Sequence, residues 1–570
     1  MKVSDYIIEF LISKKVTEIF GYPGGVICHV MDSVTKYRDK ITAHALYHEQ
    51  ACAFAACSYA QAAHNIGIVF ATSGPGATNL ITGIANAFYD SIPIIVLTGN
   101  VDTYGVKGDM NIRQRGFQET DFVSIVRSIT KYSVFVKSPD DIRYCLEEAY
   151  YLVTTGRPGP VVLDLPADVQ RADVDPDNLK PYKIQNFDSI SNKESIISDL
   201  IEIVKNSKRP CFLAGAAVKQ TGNVKTLRQL CEQLNVPLVT SMPAVDVFPG
   251  NHRLNGGFIG TNGHRYANFI ISKSDLVIVI GSRLDLKQVG NKREKFAPNA
   301  KLYRIDIDEG ELAYKIRNNE IAIHMDISVF LKSLVINSHN IKLDTEKWIN
   351  VCNQLKEKLK DSDKNIYHDF IKKLSSSSQE GINIIVDTGQ SSVWVPQSFI
   401  FKKDQNFFIS AGLGSMGYSL PAAIGAYYAN KQSVICFNGD AGIQMNIQEL
   451  EFVVKEQLPI TIVILNNRSM GMIRNFQEKN FNKNYYLTTV NSGYAVPDFE
   501  RIAYAYNIKY KRITSCDDLK NDIILNKEPS MLDVQFETST YLVPNFRSDG
   551  PLDDMEPLID RALYSELMAL

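Results

Sequence analysis

The sequence predicts an α/β protein built from three doubly wound parallel-sheet domains. Three observations point there. Short apolar runs ending in Gly or Asn turns recur along the 570 residues, with helix-length segments between them. Strands apolar at nearly every position are those covered on both faces, as in parallel sheets. The runs also fall into three groups, parted by a polar, Pro-containing stretch at 173–195 and by Lys/Asp-rich sequence with the tract "SSSS" at 375–378. The expected domains are 1–175, 190–340 and 375–550, with a tail at 551–570.

Taken in order, "MKVSDYIIEFLISKK" reads as an amphipathic helix with Ser4 as its cap. Asp5 and Glu9 interrupt its apolar pattern, so it is not read as a signal peptide. "HALYHEQACAFAACSYA" (44–60) places a lone acid, Glu49, at the mouth of a small-residue helix from Ala51 to Ala60. A carboxylate there favours the helix dipole by under about 1 kcal/mol, which is the plain reading. "NIGIVFATSG", "IPIIVLTGN" and "GPVVLDLPADV" are strands of the first unit. "RPCFLAGAAV", "SDLVIVIGSRLD" and "AKLYRIDIDEGEL" supply the second. "INIIVDTGQ", "SVICFNGDAG" and "PITIVILNN" supply the third. A shared fold for units one and three is compatible with the strings but not contained in them.

Composition narrows the function classes. The 61 basic and 63 acidic side chains leave a net charge of -2, which argues against nucleic acid as a partner. No apolar run reaches the roughly 18 to 20 residues of a membrane span. Nine Cys without a CxxC pair read as reduced core thiols of a cytoplasmic protein.

The strongest motif is "GDAGIQMNIQELEFVVKEQLPITIVILNN" (439–467). A strand leads into Gly439-Asp440, a helix follows, and a second strand ends at Asn466-Asn467. Adjacent parallel strands deliver both ends to one carboxyl edge, where such sheets bind ligands. Asp440 and Asn467 then offer oxygen ligands to one Mg²⁺, which prefers oxygens and shares them with phosphates. The turn and the helix N-terminus offer N–H donors to a diphosphate.

With this segment, "IFGYPGG" (19–25), "YHEQACAFAA" (47–56), "ATSGPGATNLITGIANAFYDSIPIIVLTGN" (71–100), "GFQETD" (116–121) and "SAGLGSMGYSLPAAIGA" (410–426), the chain resembles the thiamine-diphosphate enzymes of the acetolactate synthase type over nearly its whole length. The resemblance implies an N-terminal pyrimidine-binding domain, a central domain and a C-terminal diphosphate-binding domain. It also implies a homodimer or homotetramer with active sites at the subunit interface. Glu49 matches the catalytic glutamate, whose carboxyl hydrogen-bonds the aminopyrimidine and promotes loss of the thiazolium proton. Pro23, Gly24 and Gln118 match cofactor-side residues, and Gly25 and Phe117 match the substrate side. Gly389 and Gln390 match the diphosphate contacts. The Gly414 carbonyl and the Met416 side chain match the groups that hold the cofactor bent. Gly439, Ala441, Gly442 and Met472 match further cofactor contacts, and Asp440, Asn467 and the Ser469 carbonyl match the Mg²⁺ ligands. The central domain would bind FAD, with Gly215 at a strand-to-helix turn, Arg283 in "IGSRLD", and Asp306 and Asp308 in "RIDID" as its residues.

The match departs around the acceptor side. The loop "VDTYGVKGDMNIRQR" (101–115) is about six residues longer than is usual in the family, and carries Arg113 and Arg115. Phe476 stands where a Trp favouring 2-oxobutyrate is usual, and Ser391 where a His is usual. Ala441 replaces a Gly, and the tail "VPNFRSDGPLDDMEPLID" is unlike the usual end. Pyruvate is the expected donor. The expected acceptor is a carbonyl compound, with a CDP-linked 4-keto sugar as the main reading, as in branched-sugar synthesis. The alternatives are a housekeeping acetolactate synthase joining two pyruvates and a pyruvate oxidase-type flavoenzyme. A non-catalytic scaffold role would require loss of Glu49 or of the Mg²⁺ ligands, and all are present.

Overall fold

The structure is a computed structural model that describes residues 1–184, 193–519, 527–536, 540–547 and 550–570. Residues 185–192 of the expected linker and 548–549 of the tail lie outside the described residues.

Eighteen described strands form three six-stranded sheets, parallel at every pairing. The first holds β1 (Glu18–Gly21), β2 (Thr42–Ala45), β3 (Gly67–Ala71), β4 (Ile94–Asn100), β5 (Tyr132–Phe135) and β6 (Val161–Pro166), in the order β2-β1-β3-β4-β6-β5. The second holds β7 (Pro210–Ala214), β8 (Leu238–Thr240), β9 (Asn255–Phe258), β10 (Leu276–Ile280), β11 (Lys301–Asp306) and β12 (Ile321–His324), in the order β12-β11-β10-β7-β8-β9. The third holds β13 (Asn383–Val386), β14 (Asn406–Ile409), β15 (Val434–Gly439), β16 (Ile460–Leu465), β17 (Lys509–Ile513) and β18 (Ser530–Val534), in the order β14-β13-β15-β16-β18-β17.

Counted within each sheet, the first and third share one order, 2-1-3-4-6-5, so units one and three do have the same topology. The second runs 3-2-1-4-5-6, the order of dinucleotide-binding folds. In each sheet the chain reverses its direction of winding beside its first strand. In the first the reversal lies between β1 and β3, in the second between β7 and β10, and in the third between β13 and β15. Crevices at the carboxyl ends of those strand pairs are where such sheets take ligands.

The first and third units share one hydrophobic core. Its seam is the helix Glu49–Ala63 packed on the helix Ser419–Asn430. Small side chains let the backbones approach. A Cβ added to Gly425 would lie 1.9 Å from the Ala55 carbonyl oxygen, and the Ser58 hydroxyl donates to the Ala422 carbonyl at 2.7 Å. That is why residues 51–60 read AlaCysAlaPheAlaAlaCysSerTyrAla and are all buried.

Two local expectations change. The first helix spans Val3–Ser13, but Ser4 lies inside it and does not cap it; its hydroxyl accepts from Ser33 at 2.8 Å, in a buried group with Asp5. After Gly439-Asp440 the chain forms a 3₁₀ segment, Gly442–Glu449, kinked at Asn446, before the α-helix Leu450–Lys455. The Asn446 amide nitrogen reaches the Gly417 carbonyl (2.8 Å) and the Gln50 side chain (3.2 Å), and these bonds hold the residue off the helical path. All nine Cys are free, and seven of them are buried.

Candidate active site

Two half-sites occupy the reversal points of the first and third sheets. In the third sheet, β15 delivers Asp440, which is buried. Burial pushes its carboxyl up to about 7. Its Oδ1 accepts the Ala441 N–H at 3.1 Å, while Oδ2 is buried without a well-formed hydrogen bond, the Tyr494 hydroxyl lying beside the carboxyl. The end of β16 delivers Asn467. Its amide nitrogen donates to Gln390 Oε1 at 2.6 Å, and its Oδ1 accepts the Ser469 N–H at 3.1 Å. Gln390, next to Gly389 after β13, is held in turn through its amide to the Thr540 carbonyl, at 2.9 Å. Asp440, Gly389, Gln390, Asn467 and Ser469 are thus brought together. A Cβ built on Gly439 meets nothing within 4 Å, so open space lies beside Asp440.

These residues fit a cation with a diphosphate. The orphaned Asp440 oxygen calls for a positive partner, because an unpaired buried carboxylate is costly. Among the described residues no three His, Cys, Asp or Glu side chains cluster as a metal site. A single carboxylate with an amide and a carbonyl suits Mg²⁺, which takes its remaining oxygens from phosphate and water.

Sequence reading missed the residue that shapes the wall of this half. Asp387, fully buried at the end of β13, accepts the N–H groups of Gly417 (3.1 Å) and Ser419 (3.1 Å) and the Ser419 hydroxyl (3.0 Å). It thereby closes the turn 414–419, where Gly414 and Gly417 take φ of 70° and 80°. Met416 sits on that turn, half-exposed and outside every hydrophobic cluster, so core packing is not its role. Ser391 turns its hydroxyl back to the Asp387 carbonyl at 3.0 Å. Its place directly after the apolar run "INIIV" fits burial but does not name the backbone groups it binds.

In the first sheet, Glu49 is the first residue of its helix, capped by His48. Its carboxylate accepts from the Asn79 amide at 2.9 Å, and its Oε1 lies 3.2 Å from a Cβ built on Gly76. Thr72 packs against Gly24 and Gly76, and Gln118, with φ of 64°, packs on Gly74. The Thr72 and Ser73 hydroxyls are buried without partners, and Thr72 and the Glu49 carboxylate flank the same Gly76 position. Pro23, Gly25 and Phe117 rim this half; Phe117 is 85% exposed. Glu449, also missed, arrives from the third domain. Its carboxylate accepts the N–H groups of Tyr47 (3.0 Å) and His48 (3.1 Å) and so fixes the turn before Glu49; burial pushes it up to about 7.

Residues 1–125, 197–334 and 387–534 match, in turn, the N-terminal TPP binding domain, the central domain and the C-terminal TPP binding domain of the thiamine pyrophosphate enzymes. The chain is 34% identical over 563 residues to the acetolactate synthase large subunit of Lactococcus lactis (strain IL1403), covering 97% of this chain and 95% of that one. It is 32% identical over 564 residues to acetolactate synthase isozyme 2 large subunit of Escherichia coli K12, covering 97% and 99%. It is 35% identical over 572 residues to the probable acetolactate synthase large subunit of Methanococcus aeolicus, covering 95% and 93%. The chain belongs to the thiamine pyrophosphate enzymes. Within them it is of the acetolactate synthase type.

A cavity of 660 Å³ lies at the reversal point of the second sheet of this thiamine enzyme. Arg283, Asp306 and Gln220 line it from the central domain, Asp90 from the first, and Ala411 and Met472 from the third. Two sequence expectations change here. Gly215 does not line the cavity; a Cβ there would lie 1.9 Å from the Gly281 carbonyl oxygen, so its glycine serves strand-end packing. Asp308 is spent within the protein, capping the helix Glu309–Ala313 and pairing with Arg157 at 2.9 Å.

The residues expected on the acceptor side are exposed. Phe476 is 57% exposed and stacks edge-on with Phe481. The long loop is closed on itself by the buried carboxylate of Glu119, which accepts the N–H groups of Lys107 and Arg115, both at 2.6 Å. Among the described residues, the Arg113 and Arg115 side chains make no ion pair and lie exposed. No described helix is long and apolar enough to cross a membrane.

Proposed function

We propose that this carboligase condenses two molecules of pyruvate to 2-acetolactate with release of CO₂. The observation that carries the reading is the pair of half-sites, Glu49 with Thr72 beside Gly76 on one sheet and the orphaned Asp440 carboxylate with Asn467 on another. The names of the relatives favour pyruvate as acceptor over the CDP-linked sugar expected from the sequence.

When bound, thiamine diphosphate supplies a carbon nucleophile and an electron sink for decarboxylation of a 2-oxo acid. Asp440, Asn467 and the Ser469 carbonyl would hold Mg²⁺, and Gln390 and Gly389 would hold the diphosphate. Glu49 holds a proton at its carboxyl for the pyrimidine ring. Met416 and the Gly414 carbonyl, on the turn 414–419, would contact the middle of the cofactor. Phe117 and Phe476, both exposed in the single chain, are the apolar side chains read as facing the substrate.

The active site is read as composite, formed between two copies. Among the described residues the Glu49 carboxylate bonds only Asn79, in its own domain. Exposed Tyr22, Tyr47, Phe117, Leu413, Met445 and Met472 give the region an apolar surface that suits a second copy. The 660 Å³ cavity is read as the FAD site, supported by its place at the reversal point of a 3-2-1-4-5-6 sheet and by Arg283 and Asp306 in its lining.

The test is incubation with pyruvate, thiamine diphosphate, Mg²⁺ and FAD, with mass spectrometry of the products, with and without a CDP-4-keto sugar. Acetolactate in both arms supports the reading. A branched sugar with little acetolactate overturns it. Acetyl phosphate or acetate with bleaching of the flavin in anaerobic solution would show an oxidase instead.

A further inference from the structure

Asp90, at the end of the helix Ile81–Tyr89, is bonded to all three domains. It belongs to the first. Its backbone carbonyl accepts from the Gln220 amide of the central domain at 2.7 Å. Its carboxylate accepts two backbone N–H groups of the third domain, from Ala411 at 3.0 Å and Gly412 at 2.7 Å. One turn earlier, Asn86 accepts the Ser410 hydroxyl at 2.6 Å, and that hydroxyl accepts the Ser415 N–H at 3.0 Å. Segment 410–415 therefore hangs from the first domain, and it leads into Met416 and the positive-φ turn at Gly414 and Gly417.

The same Asp90 lines the 660 Å³ cavity with Gln220 and Arg283. Burial pushes its carboxyl up to about 6, while the two N–H groups, Arg283 and Arg157 pull the other way. Asp90 thus stands between the cavity and the backbone of 411–412.

We propose that Asp90 is a positioning residue that couples occupancy of the inter-domain cavity by a flavin dinucleotide to the geometry of the 411–417 loop that receives thiamine diphosphate. This rests on the flavin reading of the cavity. A ligand beside Asp90 excludes water and fixes the carboxylate toward Ala411 and Gly412. The loop is then ordered in advance, and the second ligand binds a site already formed. Such coupling is reciprocal, so each ligand tightens the other by the same factor. A cofactor with no electrons to pass would in this way still serve the reaction.

The experiment is calorimetric titration of the full-length protein with thiamine diphosphate at fixed Mg²⁺, with and without saturating FAD. In the wild type FAD should tighten thiamine diphosphate at least about fivefold, the lower end of ordinary coupling. In Asp90→Asn both ligands should still bind, with the coupling reduced to within about twofold. Gln220→Ala, which removes the tether to Asp90 together with one side chain of the cavity lining, should lower the coupling while FAD still binds, its own affinity being measured in a separate titration. Equal coupling in wild type and Asp90→Asn overturns the proposal, as does the absence of coupling in a wild type that binds both ligands. If Asp90→Asn fails to fold, Gln220→Ala decides, and full coupling in it overturns the proposal. A wild type that binds no FAD sinks the flavin reading, and this inference with it.

Discussion

Asp440→Asn should weaken the loaded enzyme and strengthen the empty one. The Asp440 carboxyl is raised from 3.8 to about 7 by burial, and one of its oxygens has no well-formed hydrogen bond. A shift of about three units corresponds to about 4 kcal/mol. The sign follows from the direction. A carboxyl with a raised folded-state pKa favours the fold below the unfolded value of 3.8, and that advantage is lost as pH rises through about 7. At pH 8 the cofactor-free wild type carries the whole cost. Asn does not titrate, but its amide group in place of the orphaned oxygen is itself unsatisfied, at about 1–3 kcal/mol. The net gain is therefore about 1–3 kcal/mol, or some 2–4 °C per kcal/mol for a domain of this size. Binding moves the other way. Losing the one charged donor removes about 1.5–3 kcal/mol, so the Mg²⁺ requirement should rise about 10- to 150-fold. Thermal unfolding of the cofactor-free proteins at pH 5 and pH 8, with Mg²⁺ titrations of thiamine diphosphate binding, checks both. A cofactor-free Asp440→Asn less stable than wild type at pH 8, or an unchanged Mg²⁺ requirement, would refute the reasoning.

Glu49→Gln should lower CO₂ release from pyruvate by about 10²–10⁴-fold with thiamine diphosphate still bound, followed by a coupled CO₂ assay and calorimetry. Glu449 is raised from 4.5 to about 7, so its contribution to stability is present below pH 4.5 and lost as pH rises through 7. Glu449→Gln should remove about 3 kcal/mol of the stability change across that window, seen by comparing unfolding midpoints at pH 4.5 and 8. Gly425→Ala forces a Cβ to within 1.9 Å of the Ala55 carbonyl and should cost at least about 1–3 kcal/mol. Gly439→Ala meets open space and should leave the unfolding midpoint unchanged while weakening cofactor binding.

The strand ends were legible because buried parallel strands are written as unbroken apolar runs. "IVFA", "IIVLTGN", "VVLDLP" and "ITIVIL" each became a strand, and the residues after "IVFA" and "ITIVIL", Thr72 and Asn467 among them, fall in the candidate site. Edge strands such as β2, with three of its four residues exposed, left no such trace. Strand order was also out of reach, since it is set by pairings far apart in sequence. Asp387, Asp90 and Glu449 were missed for one reason. Each acts on the backbone of a distant segment, and a carboxylate aimed at N–H groups looks in sequence like any other acid near a strand or helix end. Ser4 failed as a cap because a serine inside the first turn can equally bond a neighbouring helix. Gly215 was given to a ligand when its missing side chain makes room for the Gly281 backbone.

Glu119 ties off the segment from Lys107 to Arg115 with two bonds, while Asp102 is clamped by Arg171 at 2.8 Å. A loop that carries its own anchor and rests on its own base behaves as a cassette. It can lengthen, shorten or be transplanted whole without disturbing the helix that bears Glu49. If the loop faces the acceptor, selection on the acceptor can act on 104–115 apart from Phe117 and Gln118, and a designer should exchange 104–115 in one piece and leave Asp102, Gln118 and Glu119 in place.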